Sequence, residues 1–195
     1  DDGQLSLRAD CNGGFGAYTI DGSNLTLGPL GTTLMMCPEG GSGDAFLQAL
    51  NSVTSWSIDQ SGASDTLVLG LSDGSSLSFS PSLAGGIWQW AGTQMGDGSE
   101  IVSAAPDRFY LSFSPDGPVV GMVDCNRAHG ASTTDGSQIS IMLATTMMYC
   151  GDDSQDAVYL QNLDQVTSYV IRDGRLALAM KMDSGIILYD PVIEE

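Results

Sequence analysis

Cys11-Asn12-Gly13-Gly14-Phe15-Gly16 and, further along, Cys125-Asn126-Arg127-Ala128-His129-Gly130 decide how this chain is read. The same Asp-Gly pair follows each at equal distance, Asp21-Gly22 and Asp135-Gly136. The register then slips by one, and Thr32-Thr33-Leu34-Met35-Met36-Cys37 returns as Thr145-Thr146-Met147-Met148-Tyr149-Cys150. Beyond it, Phe46, Leu47, Leu50, Val53 and Trp56 answer to Tyr159, Leu160, Leu163, Val166 and Tyr169. A pattern of this length marks two diverged copies of one module.

Periodicity supplies the elements. Phe46, Leu47 and Leu50 after Asp44, and Tyr159, Leu160 and Leu163 after Asp156, have the spacing of one helix face with an acidic cap. Most other segments alternate apolar and polar residues as half-buried strands do: Leu5 and Leu7, Leu67 to Leu71, Phe109 to Phe113, Ile139 to Leu143, Leu176 to Met180. The expected fold is mainly β with one short helix per module: two tandem small antiparallel barrels or curled sheets. Many Asp residues precede Gly, as at Asp21, Asp73, Asp97, Asp116, Asp135 and Asp173, and read as tight turns rather than calcium ligands.

The copies are unequal. Gly86-Ile87-Trp88-Gln89-Trp90 and the strand-like run 108–114 precede Cys125, whereas ten residues precede Cys11. The boundaries expected are a first module at 1–81, a linker at 82–86 and a second module at 87–195, the first lacking about two opening strands. Those strands are expected from trimmed upstream sequence, from elsewhere in the chain or from a partner, because an unpaired edge is a liability. Strand exchange or a dimer through the first module follows as one expectation.

With 24 acidic residues against six basic ones, the net charge is −18. Such a surface repels phosphate backbones, so nucleic acid is a poor partner. No apolar run approaches the roughly 18 residues of a membrane-spanning helix. No basic and apolar leader opens the chain, and a secretory leader is expected to be absent or removed.

Cys-Asn followed by Gly, a turn, Thr-x-Met-x-Cys and a Phe-Leu-x-x-Leu helix resembles the META domain, the HslJ-like family of bacterial envelope proteins. The motif residues are Cys11, Asn12, Gly16, Thr33, Met35 and Cys37 in the first copy, and Cys125, Asn126, Gly130, Thr146, Met148 and Cys150 in the second. Ile87-Trp88-Gln89-Trp90 is similar to the family's opening strand; Ser132, where the first copy has Tyr18, departs from the pattern. The resemblance implies a small β-barrel with a helix, a cell-envelope location (periplasmic, outer-membrane-associated or secreted), a loose link to heat shock, stress response and antibiotic tolerance, and no catalytic residues or cofactor.

The cysteines pair by position within each copy, Cys11 with Cys37 and Cys125 with Cys150, which favours disulfides and an oxidising compartment. Four-cysteine zinc would need close pairs that the chain lacks, and two neighbouring reduced thiols remain open. His129, the single histidine, lies near Cys125 and Asp124, but sequence adjacency is slight evidence for a dyad, and Phe15 holds its place in the first copy. Asn12 and Asn126 read as turn residues. Met35, Met36, Met147 and Met148 suggest thioether copper ligands, with core filling the expected role. Trp88 and Trp90 share one strand face and are expected in a core.

Three functions compete: a non-enzymatic envelope protein acting through protein contacts, a small-molecule-binding barrel, and a hydrolase or redox enzyme built on Cys125 and His129.

Overall fold

The computed structural model describes residues 2–38 and 40–192. It divides into Asp1–Gly62 with Thr66–Ser80, and Ala63–Asp65 with Pro81–Glu195.

In the first unit, β1 (Asp2–Ala9) and β2 (Asn12–Asp21) form an antiparallel hairpin in register from Gly3↔Tyr18 to Ala9↔Asn12. The Asp21-Gly22 turn sends β3 (Asn24–Leu27) back along β2, and the two-residue β4 (Gly31–Thr32) pairs with β2 further on. Helix α1 (Gly43–Leu50) then leads to β5 (Val53–Asp59), β6 (Thr66–Leu71) and β7 (Ser76–Phe79). The sheet order is β1-β2-β3-β5-β6-β7, a curled half-barrel that ends at β1 and β7 among the described residues. Leu25, Leu50, Val53 and Leu69 are buried on its concave side, while Tyr18, Ile20, Phe46, Trp56 and Phe79 around them are only partly covered.

The second unit closes. Its strands are β8 (Ile87–Met95), the short β9 (Glu100–Val102), β10 (Phe109–Phe113), β11 (Pro118–Val123), β12 (Asn126–Asp135) and β13 (Gln138–Thr145). Helix α2 (Asp156–Leu163) precedes β14 (Val166–Arg172), β15 (Arg175–Met180) and β16 (Gly185–Pro191). The order β10-β11-β12-β13-β14-β15-β16-β8 is sealed by Leu111↔Trp88 and its neighbours between β10 and β8, which gives an eight-stranded barrel with β9 appended. Closure removes exposed edges, as expected of a small β fold, but only in this unit. Its interior is packed solid: Trp90, Phe109, Leu111, Tyr159, Leu176, Leu178, Ile187 and Tyr189 are almost wholly inaccessible to solvent. Trp90 meets Phe109 at 5.1 Å and Tyr159 at 5.0 Å between ring centroids, in tilted and edge-on arrangements that aromatic quadrupoles favour. Residues 82–86 contribute to this core, since Leu83 is buried and its carbonyl accepts the Trp88 indole N–H at 3.0 Å.

The strand assignments follow from alternation, and Gly22, Gly74, Gly98, Gly117, Gly136 and Gly174 have positive φ, as their Asp-Gly turns require, whereas Gly3 of Asp2-Gly3 lies within β1. Asp73 and Asp97 also accept bonds from the Ser75 and Ser99 hydroxyls and amides, which hold both carboxyls below their ordinary range. Helix caps differ from expectation. Ser42 and Gln155 occupy the cap positions, and Asp44 and Asp156 lie in the first turn, where a negative charge meets the positive end of the helix dipole.

Candidate functional site

The residues shared by the two copies converge on one structure, a loop pinned outward beside the helix. In the first unit the loop runs from β4 to α1. The Asn12 amide acts on it like a short piece of β-strand: Oδ1 accepts the Met35 N–H at 2.7 Å and Nδ2 donates to the Met35 carbonyl at 3.1 Å. Thr33 Oγ1 donates to the same Oδ1 at 2.9 Å and accepts the Gly13 N–H at 3.1 Å. Cys11 and Cys37 are joined, with Cα atoms 5.6 Å apart, and Cys37 Sγ accepts from both the Cys11 N–H and Asn12 Nδ2.

The second unit repeats this bond for bond. Asn126 Oδ1 accepts the Met148 N–H at 2.7 Å and the Thr146 hydroxyl at 2.8 Å, and Nδ2 donates to the Met148 carbonyl at 3.0 Å. Cys125 is joined to Cys150, again with Cα atoms 5.6 Å apart. Asn12 and Asn126 therefore act as loop clamps. The left-handed residues at these turns are Asp10 and Asp124, which immediately precede the cysteines.

Gly16 and Gly130 stand where β2 and β12 pass close to the next segment. A side chain at Gly16 would reach Leu30 Cδ2 at 2.7 Å, and one at Gly130 would run into the Met142 carbonyl.

Asp10 and Asp124 tie each clamp to its surroundings by different routes. The Asp10 carboxylate accepts the Gly43 N–H at 2.5 Å and the Ser42 N–H at 3.3 Å, so it closes the start of α1 from outside the helix. Asp124 is buried, accepts the Ser154 hydroxyl at 2.5 Å and is ion-paired with Arg108. Arg108 lies immediately before β10, a strand without a counterpart among the described residues of the first unit.

The clamped loops do not fill a core, contrary to the expectation for their methionines. Leu34, Met36 and Met147 are 95%, 99% and 98% exposed, and Met35, Met148 and Tyr149 are more than half exposed. The loop is not a strand, so alternation does not turn one residue of each pair inward. Beneath each loop lies a recess of about 320 Å³, lined in the first unit by Asn12, Thr33, Met35 and Leu47, and in the second by Asn126, Thr146, Met148 and Leu160. The pattern Thr-x-Met-x-Cys held this information, but exposure could not be read from it.

The remaining candidates separate. Cys125 has its sulfur bonded to Cys150 and offers no thiolate, while His129 lies exposed on β12 opposite Val120 and Ala144. Asp124 serves Arg108 and Ser154 instead of orienting an imidazole. Trp88 and Trp90 are in the second core.

A model of the META domain matches residues 1–84 and 81–188. No curated protein matches the chain. A protein from Burkholderia xenovorans, solved by NMR, is similar at 20% identity and a TM-score of 0.49, over 57% of this chain and 85% of that one. The crystal structure of a DUF4847 family protein from Bacteroides vulgatus is similar at 14% identity and a TM-score of 0.46, over 58% of this chain and 96% of that one.

Proposed function

The chain belongs to the META domain family, and on that premise we propose that it is a non-enzymatic protein of the bacterial cell envelope that works in stress or antibiotic tolerance through protein contacts made by its two clamped loops. The observation that carries this reading is the outward presentation of Leu34-Met35-Met36 and Met147-Met148-Tyr149 by the same bonds in both units. Contiguous exposed apolar side chains on an acidic surface mark a contact site. Methionine adapts its shape to a partner, and a loop already held by an Asn clamp and a disulfide loses little further freedom on binding.

Two joined cysteine pairs suit an oxidising compartment such as the periplasm or the exterior. A Cys-His mechanism has no support where the cysteine is bonded and the histidine stands alone. The small-ligand reading finds no room in the second barrel, whose interior is occupied by its own aromatic and aliphatic side chains.

The test is complementation of a deletion strain under heat and antibiotic stress with the wild-type chain and with Leu34→Ser, Met36→Ser, Met147→Ser and Tyr149→Ser combined. Because these side chains lie in solvent, the variant should keep its melting temperature and lose both tolerance and crosslinked partners. Full complementation by the variant would refute the reading.

A further inference from the structure

Alternation fixes which side chains the second barrel shows to solvent along β12. Arg127, His129 and Ala131 are exposed there while Asn126 and Ala128 are buried, so the three share one outer face at spacings of ~7 Å. Strand register lays neighbours beside them: Val120↔His129↔Ala144 form one row and Pro118↔Ala131↔Met142 the next. Val120 and Met142 are each more than half exposed. In the row on the other side of His129, Arg127 stands opposite Met122, donates its N–H to Thr146 Oγ1 at 3.1 Å and accepts the Thr146 N–H at 3.0 Å. Thr146 leads directly into Met147-Met148-Tyr149, so this face runs on into the second clamped loop.

Two properties set the face apart. None of these outward positions is Asp or Glu, on a chain that holds 24 acidic residues. Its donors are also uncommitted: Arg108, Arg172 and Arg175 are each ion-paired with an aspartate, whereas neither Arg127 nor His129 has an ion pair among the described residues. The first unit places an arginine in the matching row but on the other strand, since Arg8↔Gly13 is the counterpart of Met122↔Arg127.

We propose that this face reads a carboxylate on an extended segment of a protein partner, with Arg127 supplying the charge, His129 a ring N–H donor, and Val120 and Met142 contacts for the apolar side chains that flank the carboxylate. The proposal gives the partner of the second clamped loop its chemistry and rests on the reading of that loop as a protein contact.

Charge complementarity selects the occupant. At physiological salt the surrounding acids act over ~8 Å, and three strands by three rows make a face of about 10 by 14 Å, so a narrow segment laid along its middle meets the local positive charge. An anionic membrane or a second copy, itself at −18, presents negative charge to the whole acidic surface and is repelled.

The probe is an array of short synthetic peptides that share one apolar framework and carry Glu, Gln or Lys at the same positions, incubated with the labelled full chain at physiological salt; the tightest Glu peptide and its Gln counterpart are then titrated in solution. Glu peptides should bind best, the reverse of the order that a net charge of −18 dictates. Arg127→Gln should weaken the Glu peptide about fivefold, the upper end for an exposed ion pair, and leave the Gln peptide unchanged. Val120→Glu should turn the preference from Glu to Lys. Arg127 and Val120 are exposed, so both variants should keep the wild-type melting temperature. Met147→Ser combined with Tyr149→Ser should weaken Glu and Gln peptides alike. If that loop variant binds as wild type while Arg127→Gln still removes the Glu preference, the loop reading fails and the carboxylate site stands; if the loop variant weakens both peptides and Arg127→Gln changes nothing, the carboxylate site fails and the loop reading stands. The proposal is also overturned if no peptide binds, if Lys peptides bind best, or if vesicles of phosphatidylglycerol bind in an Arg127-dependent way and the Glu peptides do not.

Discussion

The phenol oxygens of Tyr159 and Tyr189 lie 2.9 Å apart, hydrogen-bonded to each other at the centre of the second barrel, where the first unit has Phe46 and Phe79. Burial is the main cause that pushes both phenols well above their ordinary range of about 10. In the unfolded chain they ionise near pH 10, and in the folded barrel they stay neutral. The folded state therefore binds more protons above pH 10, so stability is complete below that point and falls as the pH rises beyond it. Melting followed by near-ultraviolet circular dichroism between pH 8 and 11.5 should show the second unit losing stability at the alkaline end. Joint replacement by Tyr159→Phe and Tyr189→Phe should flatten that profile; a profile unchanged by the double variant would contradict the assignment.

Asn126 satisfies both the N–H and the carbonyl of Met148. Asn126→Ala should cost about 2 kcal/mol in urea unfolding, the penalty for leaving partly buried backbone groups unpaired. Amide exchange at Met148 should quicken as well. Asn126→Asp keeps the acceptor and loses the donor, so it should fall between the two.

The glycines of the motif should not be equivalent. Alanine at Gly130 meets the backbone carbonyl of Met142, which cannot move without breaking the β12–β13 pairing, whereas alanine at Gly16 meets the mobile end of Leu30. Gly130→Ala is expected to cost about 3 kcal/mol, at the upper end for overpacking, and Gly16→Ala about 1 kcal/mol. Chemical denaturation of the two variants side by side gives the comparison.

Each cysteine pair closes a loop with a sequence separation of 26 or 25, worth about 3 to 4 kcal/mol by the chain-entropy model. Dithiothreitol should lower both melting transitions. The larger fall is expected in the first unit, because its open half-barrel buries fewer side chains than the closed one. Alkylation before reduction should label no cysteine.

Much of this was legible in the chain. The repeat from Cys11 to Trp56 and from Cys125 to Tyr169 located two modules and the cysteine partners, because repetition and alternation are local properties of sequence. The roles of Asn12 and Asn126 were legible only as turn chemistry, since their partners Met35 and Met148 are brought close by the β2 and β12 hairpins.

Sequence by itself determined strand and helix identity, the Asp-Gly turns and the acidic charge, all of which depend on neighbouring residues and on composition. Tertiary structure decided the rest. Met35, Met36, Met147 and Met148 are chemically apt for a core, and whether they enter one depends on the path of a loop held by bonds from a distant strand. The same holds for the barrel's closure: Leu111 and Trp88 meet across β10 and β8 in the second unit, whereas the described strands of the first end at β1 and β7, and the same inward alternation leaves Tyr18, Ile20, Phe46 and Phe79 only partly covered.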